Sequence, residues 1–174
     1  ELDDKYCTYY QFLIGILQWI VELGCIDICL EVSLMLSHLA MPRKGHLRQA
    51  LHIFAYLKKH HNAKLVFDPS DPMVDMSQFE EKDWTSSEFG HIQGEEVLPP
   101  NMPEPRGFGF TMVAKVDADH ASDTISCQSR TGFIIYLNCA SVYWLSKKQI
   151  SVESSSFGSE FVAMKQCCEY IRGL

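Results

Sequence analysis

The sequence predicts an α+β protein in which a small helical unit precedes a sheet that is covered by one helix. Apolar residues recur at helical spacing in the N-terminal part, and they alternate with polar residues in short segments nearer the C-terminus. Between these parts lies an acidic, proline-rich segment that shows neither periodicity. We therefore divide the chain into a helical region (1–67), a linker (68–106) and a sheet-containing region (107–174).

Three amphipathic helices are predicted in the helical region. The first is expected to begin at Thr8, which can cap it, and the second at Asp27. The second helix should end before Pro42, because proline has no backbone N–H to donate. A third helix is expected over 46–60, followed by a short strand over 64–67. The predicted inner stripe of the first helix consists of Phe12, Leu13, Ile16, Leu17 and Ile20.

The linker is predicted from its charge and its prolines. Between Asp68 and Glu104 the only basic residue is Lys82, and every proline of the chain except Pro42 falls between Pro69 and Pro105. Such a composition prevents a long helix and buries little apolar surface. We expect this segment to be partly disordered, although short helical turns near 79–84 are compatible with its aromatic residues.

Three strands and a helix are expected in the C-terminal region. Alternation over 110–116 predicts a strand that delivers Asp117 at its carboxyl end. Two further apolar strands are expected near 133–137 and 142–146, and a helix that begins at Ser155 or Ser156 and ends at Arg172. The predicted buried stripe of that helix consists of Phe157, Phe161, Met164, Cys168 and Ile171.

Four short blocks follow one another in this region. They read Asp-Ala-Asp at 117–119, Ser-Arg-Thr-Gly-Phe at 129–133, Trp-Leu-Ser-Lys-Lys-Gln at 144–149 and Ser-Ser-Phe-Gly-Ser-Glu-Phe at 155–161. In this order and spacing they resemble the ribonuclease H domain of copia-type retrotransposon polyproteins. His120 and Gly158 depart from the family, which usually has Trp and Glu there; neither position is assigned catalysis in the family.

The helical region resembles the same polyprotein, in the segment between the reverse transcriptase palm and the ribonuclease H domain. The matching residues are Tyr-Gln-Phe-Leu-Ile-Gly-Ile-Leu at 10–17, Ile-Asp-Ile at 26–28, Pro-Arg-Lys-Gly-His at 42–46 and Tyr-Leu-Lys at 56–58. The polymerase's own carboxylate pair is absent, because Asp3-Asp4 follows no apolar strand. DNA synthesis by this chain is therefore not expected.

The resemblance implies a two-metal nuclease that hydrolyses the RNA of RNA–DNA hybrids. Carboxylates suit this chemistry because Mg²⁺ or Mn²⁺ prefers oxygen ligands. The resemblance implies Asp117 and Glu160 as the catalytic, metal-binding residues, with Asp119 as a further candidate ligand. It also implies a central strand ending at Asp117, with the carboxylates of Asp117 and Glu160 within about 4 to 6 Å of each other.

Basic residues are candidates for contacts with the hybrid. The dibasic pair Lys147 and Lys148 lies beside Trp144 and could contact phosphates together with Arg130, although a solvated turn explains the pair equally well. The rest of the polyprotein is the other implied partner. A further family Asp, expected in a strand after the helix, is missing, so we expect the chain to be inactive alone. The alternatives are a non-catalytic transposon-derived remnant that acts as a packing or interaction module, and a small binding protein that keeps these motifs.

Composition excludes several other classes of protein. The formal net charge is −7, and the seven cysteines form no Cys-x-x-Cys pair, which argues against a disulfide framework or a zinc ribbon. The histidines His38, His46 and His52 lack metal-ligand spacing, and the serines at 154–156 suit helix capping better than nucleophilic catalysis. No apolar run reaches membrane-spanning length and no signal peptide is apparent, so we expect an intracellular protein, cytoplasmic or nuclear, that is not secreted and has no membrane partner.

Overall fold

The computed structural model describes residues 2–78, 100–102 and 109–174. Most of the predicted linker, together with the helical turns considered near 79–84, lies outside these residues. The described elements are four α-helices and three strands, namely α1 (Asp4–Glu22), α2 (Cys29–Leu36), α3 (Lys44–Lys59), β1 (Met112–Asp119), β2 (Arg130–Leu137), β3 (Ala140–Lys148) and α4 (Ser156–Ile171). Short 3₁₀ turns occupy Ile26–Ile28 and Met76–Gln78. The α+β class is confirmed, as are three antiparallel strands and one helix in the C-terminal region.

Helix α1 begins earlier than predicted, and its buried face overlaps the predicted one at Leu13 and Leu17. Its N-cap is Asp3, whose carboxylate accepts a hydrogen bond from the backbone N–H of Tyr6 at 2.9 Å. Thr8 is therefore inside the helix and not its cap. Phe12, expected in the core, is 62% exposed. The buried residues are Tyr10, Leu13, Ile14, Leu17 and Val21.

The other helices of this unit pack around α1. Ile28, Val32, Ala50 and Ile53 complete its buried core. The chain turns after α1 at Gly24, whose φ of +121° disfavours any residue with a Cβ atom. The predicted strand over 64–67 is wrong, because these residues have no regular secondary structure.

The sheet is antiparallel with the order β1-β2-β3. Asp117 lies opposite Gly132, and Gly132 lies opposite Ser146. Within the described residues β2 is therefore the central strand and β1 is at the edge, which corrects the expectation that the strand bearing Asp117 is central. A register shift in the β2–β3 pairing occurs between Ile135 and Tyr136.

Helix α4 is capped by Ser155, whose hydroxyl oxygen accepts a hydrogen bond from the backbone N–H of Gly158 at 3.1 Å. Its buried residues are small: Ser159, Ala163 and Cys167. The predicted buried stripe is wrong, since its members from 157 to 168 are exposed. Small side chains on this face allow close packing of the helix against the sheet.

The helical unit packs against the sheet. Trp144 of β3 contacts the helical core, and its indole N–H donates to the carbonyl oxygen of Val21 at 3.1 Å. A second contact joins the start of the predicted linker to the β2–β3 turn, where the Asn138 side chain donates to the carbonyl oxygen of Pro69 at 2.9 Å. Among the described helices, none combines the length and the hydropathy needed to cross a membrane.

Candidate functional site

The carboxylates of Asp117 and Asp119 lie on the sheet face that is turned towards the helical unit. Alternate residues of a strand point to opposite faces, and both side chains are exposed at odd-numbered positions of β1. They line a cavity of about 390 Å³ between the sheet and the start of α2, together with Leu30, Arg130 and Trp144. Basic and acidic groups therefore share the rim of a largely apolar cavity.

Glu160 lies on α4, which packs against the other face of the sheet. It is exposed and lines an open groove of about 710 Å³ that runs beside Ala114 and Val116 of β1. Asp117 does not line this groove, and Glu160 does not line the cavity that holds Asp117. The two predicted catalytic carboxylates thus line different concavities, and these share Val116 of β1.

The residues present do not fit a built metal centre. In the part of the chain that the structure describes, no three His, Cys, Asp or Glu side chains are grouped closely enough to hold an ion. No catalytic step through Mg²⁺ or Mn²⁺ follows from this arrangement.

The two lysines that were predicted to contact phosphate differ in whether they are already engaged within the protein. Lys147 is exposed on β3. Lys148 forms an ion pair with Asp123, in the loop between β1 and β2. The ammonium of Lys148 and the backbone N–H groups of Ile125 and Ser126 hold the pKa of the Asp123 carboxyl well below its usual range. A phosphate would have to compete with this carboxylate for Lys148 but not for Lys147.

Arg130 is 7% exposed and lies where the sheet meets the helical unit. Its guanidinium donates to the hydroxyl of Ser33 in α2, and that hydroxyl donates in turn to the carbonyl oxygen of Ser146 at 2.6 Å. Burial lowers the pKa of Arg130, and the carboxylates of Asp119 and Asp123 partly offset this effect. Because Arg130 is buried and bonded within the protein, we leave it out of the proposed contacts with nucleic acid.

Two polar residues to which the sequence assigned no role connect the elements. Ser33 joins α2 to β2 and β3, as described above. Gln149 is 4% exposed, and its amide nitrogen donates to the Thr131 hydroxyl at 3.1 Å and to the Ser159 carbonyl oxygen at 2.9 Å. Gln149 belongs to one of the four sequence blocks, which was a signal for it. No signal in the sequence pointed to Ser33, because a serine in an apolar helix is also compatible with exposure to solvent.

No family model matches this chain, and neither the curated proteins nor the solved structures contain a match to it.

Proposed function

We propose that the chain is a segment of a copia-type retrotransposon reverse transcriptase/ribonuclease H polyprotein and serves there as a scaffold. The family hydrolyses RNA in RNA–DNA hybrids with two metal ions, and we assign that activity and its Mg²⁺ or Mn²⁺ to the intact family protein. The four sequence blocks support the family. The scaffold role rests on one observation, that Asp117 and Glu160 line concavities on different faces of the sheet.

The packing between the two regions supports the same role. The helical unit is fixed to the sheet through Trp144 and through the Ser33 hydroxyl, which is shared by Arg130 and Ser146. A scaffold that sets the position of a nuclease domain relative to a polymerase requires such a joint. The rest of the polyprotein and the hybrid are the partners that this proposal implies.

The second candidate is a non-catalytic remnant that acts as a packing or interaction module. The same joint favours it, because the contacts of Trp144 and Ser33 would be retained without any nucleic acid partner. The two candidates differ in one property. A segment of the nuclease should retain weak affinity for a hybrid, whereas a remnant has no reason to retain it.

Fluorescence anisotropy with a labelled RNA–DNA hybrid separates the candidates. At low salt we expect weak binding by the chain, lowered by Lys147→Glu, because Lys147 is exposed and free of the ion pair that engages Lys148. Loss of one phosphate contact should reduce the slope of log affinity against log salt concentration by about one. Lys59→Glu, at the end of α3, makes the same change of charge at another exposed position and should have little effect.

Two results would count against the proposal. Absence of hybrid binding even at low salt favours the remnant. Equal losses of affinity in Lys147→Glu and Lys59→Glu would show that binding depends only on the net charge of the chain and not on the position of Lys147. Incubation of the chain with the hybrid and Mg²⁺ or Mn²⁺ should give no specific cleavage, and cleavage that disappears in Asp117→Asn would instead assign catalysis to this chain.

A further inference from the structure

Two histidine rings stack on each other where the chain passes from α2 to α3. His38 lies in the turn that follows α2, and His46 lies in the first turn of α3. Their ring centroids are 4.0 Å apart, and the ring planes are inclined to each other by 19°. Both residues are half-buried, so water and salt screen charges on these rings less than on the open surface. The histidine pair therefore joins the connection between the two helices to the beginning of α3.

The hydrogen bonds at His46 require a neutral imidazole ring. Nδ1 of His46 accepts from the backbone N–H of Arg43 at 3.2 Å, and the backbone N–H of His46 donates to the carbonyl oxygen of Arg43 at 2.9 Å. A backbone N–H can only donate, so Nδ1 carries no proton. Protonation of Nδ1 removes the first of these two bonds. Because Arg43 is the N-cap of α3, the helix then loses a contact that fixes its first turn.

The charges around His46 also oppose its protonation. Burial lowers the pKa of His46, and the charges of His38 and Arg43 lower it further. The first turn of α3 holds no acidic residue, and the N-terminus of a helix carries a partial positive charge. From α1 the neutral amide of Gln11 reaches the connection, where it donates to the carbonyl oxygen of Leu39 at 3.0 Å. Among the described residues, the charged groups that act on His46 are thus basic and not carboxylates.

We propose that the histidine pair is a pH-sensitive switch, which holds the start of α3 on the connection from α2 at neutral pH and releases it in mild acid. Protonation of both rings places two positive charges at a centroid separation of 4.0 Å and breaks the bond from Arg43. Ala50 and Ile53 fix the later part of α3 in the core. The release is therefore confined to the first turn of the helix and to residues 38–43.

The direction of the pH dependence follows from the lowered pKa. Because the folded chain disfavours protonated His46, the contribution of this residue to local stability is complete above its ordinary pKa, near 6.5. The contribution is lost as the pH falls through the lower pKa of the folded state. Carboxylates with ordinary pKa values remain ionised above about pH 5, so a comparison of about pH 7.5 with about pH 5 reports on histidine.

Hydrogen exchange of the full chain tests this proposal, which does not depend on the proposed function. Protection factors correct for the intrinsic pH dependence of exchange. They are measured for the amides of His46 and Leu47, because both donate to the carbonyl oxygen of Arg43. From about pH 7.5 to about pH 5 we expect the protection of both amides to fall about threefold or more. The amide of Ile53, in the buried part of α3, should change little.

His46→Gln is the decisive variant, because glutamine keeps an oxygen that can accept from the Arg43 N–H but has no proton to gain. We expect its first turn to stay protected in mild acid. His52→Gln is the matched control, because it removes an exposed histidine from the same helix, and it should respond as the wild type does. His38→Phe keeps an aromatic ring without the second charge, and it should reduce the acid-induced loss of protection without abolishing it.

Titration of the His46 ring by NMR gives an independent measurement on the wild-type chain. We expect a pKa below 6.5 that rises in His38→Phe, because a neighbouring positive charge is then absent. Circular dichroism verifies that each variant keeps the fold. If His46→Gln does not fold, this titration decides the proposal.

Four outcomes would overturn the proposal. One is a wild-type chain whose His46 and Leu47 amides keep their protection in mild acid. Another is the same acid-induced loss in His46→Gln as in the wild type. The third is abolition of the response by His52→Gln as well, which would assign it to the charge of the whole helix. The fourth is an NMR titration in which the pKa of His46 is 6.5 or higher.

Discussion

The indole N–H of Trp144 in β3 donates a hydrogen bond to the carbonyl oxygen of Val21 in α1 at 3.1 Å. These residues are far apart in sequence and belong to the two regions that the sequence separates by an acidic linker. The contact falls near the end of α1, where the last carbonyl groups accept hydrogen bonds from outside the helix. The Val21 carbonyl also accepts from the backbone N–H of Gly24 at 3.1 Å, so the sheet supplies a second donor to it and the two regions are packed together directly.

Replacement of Trp144 should weaken this joint. Trp144→Phe removes the indole N–H and leaves the Val21 carbonyl with the N–H of Gly24 as its donor, so we expect a loss of about 0.5 to 1.5 kcal/mol in the free energy of unfolding. Urea denaturation measures this quantity. Trp19→Phe is the matched control, because Trp19 is 65% exposed, and it should cost about 0.5 kcal/mol or less. Equal losses of stability in Trp144→Phe and Trp19→Phe would show that this hydrogen bond does not stabilise the packing of the two regions.

The Ser33 hydroxyl connects the same two regions through polar groups. Ser33→Ala leaves the buried guanidinium of Arg130 and the carbonyl of Ser146 without this partner, so we expect a loss of about 1 to 3 kcal/mol. Ser37→Ala, one turn later, removes only a hydrogen bond to the Ser33 carbonyl at 3.4 Å. It should be nearly neutral, and a Ser33→Ala variant as stable as Ser37→Ala would argue against the shared hydroxyl.

Gln149 should contribute more to the free energy of unfolding than an exposed glutamine does. Gln149→Ala removes two hydrogen bonds from a buried position between β2 and α4, so we expect a loss of about 2 to 4 kcal/mol in chemical denaturation. Gln18→Ala is the control, because Gln18 is exposed on α1. A cost for Gln149→Ala no larger than for Gln18→Ala would mean that this network does not hold α4 on the sheet.

Alkaline pH should destabilise the helical unit through Tyr10. The Tyr10 hydroxyl donates to the Met35 carbonyl oxygen at 2.8 Å, and burial raises the pKa of Tyr10 to about 12. A raised pKa in the folded state means that the contribution to stability is complete below the ordinary pKa, near 10, and is lost as the pH rises through about 12.

Thermal unfolding between neutral pH and pH 12 checks this prediction. The wild type should lose stability across the upper part of that range. Tyr10→Phe should be less stable at neutral pH but less sensitive to alkali. Tyr9→Phe is the control, because Tyr9 is 44% exposed. The same alkaline slope in Tyr10→Phe and the wild type would refute the role of Tyr10.

The order of the elements follows from local pattern, and this is why it was predicted from the sequence. Helical spacing in α1 and α4 and alternation in β1 require no knowledge of the partners. The buried face of each helix does require it. In α4 the more apolar row, which begins at Phe157, is exposed, because the sheet accepts the row of small residues that includes Ala163.

Prediction of the candidate site from the sequence is limited in the same way. The sequence blocks identified Asp117, Glu160 and Arg130 as chemically suitable residues, but the face on which each lies depends on tertiary packing. Arg130 could not be recognised as buried, because its partner Ser33 lies on a distant helix. The position of β1 at the edge of the described sheet likewise depends on which strands are present to pair with it.

Binding of Mn²⁺, measured by electron paramagnetic resonance of the free ion, tests most directly whether Asp117 and Glu160 form a metal centre in this chain. Because they line concavities on different faces of the sheet, we predict no saturable site that weakens in both Asp117→Asn and Glu160→Gln. Lys147→Asp is a suitable control for surface charge. A single saturable Mn²⁺ site that is lost in each of the two carboxylate variants, and kept in the control, would contradict this account.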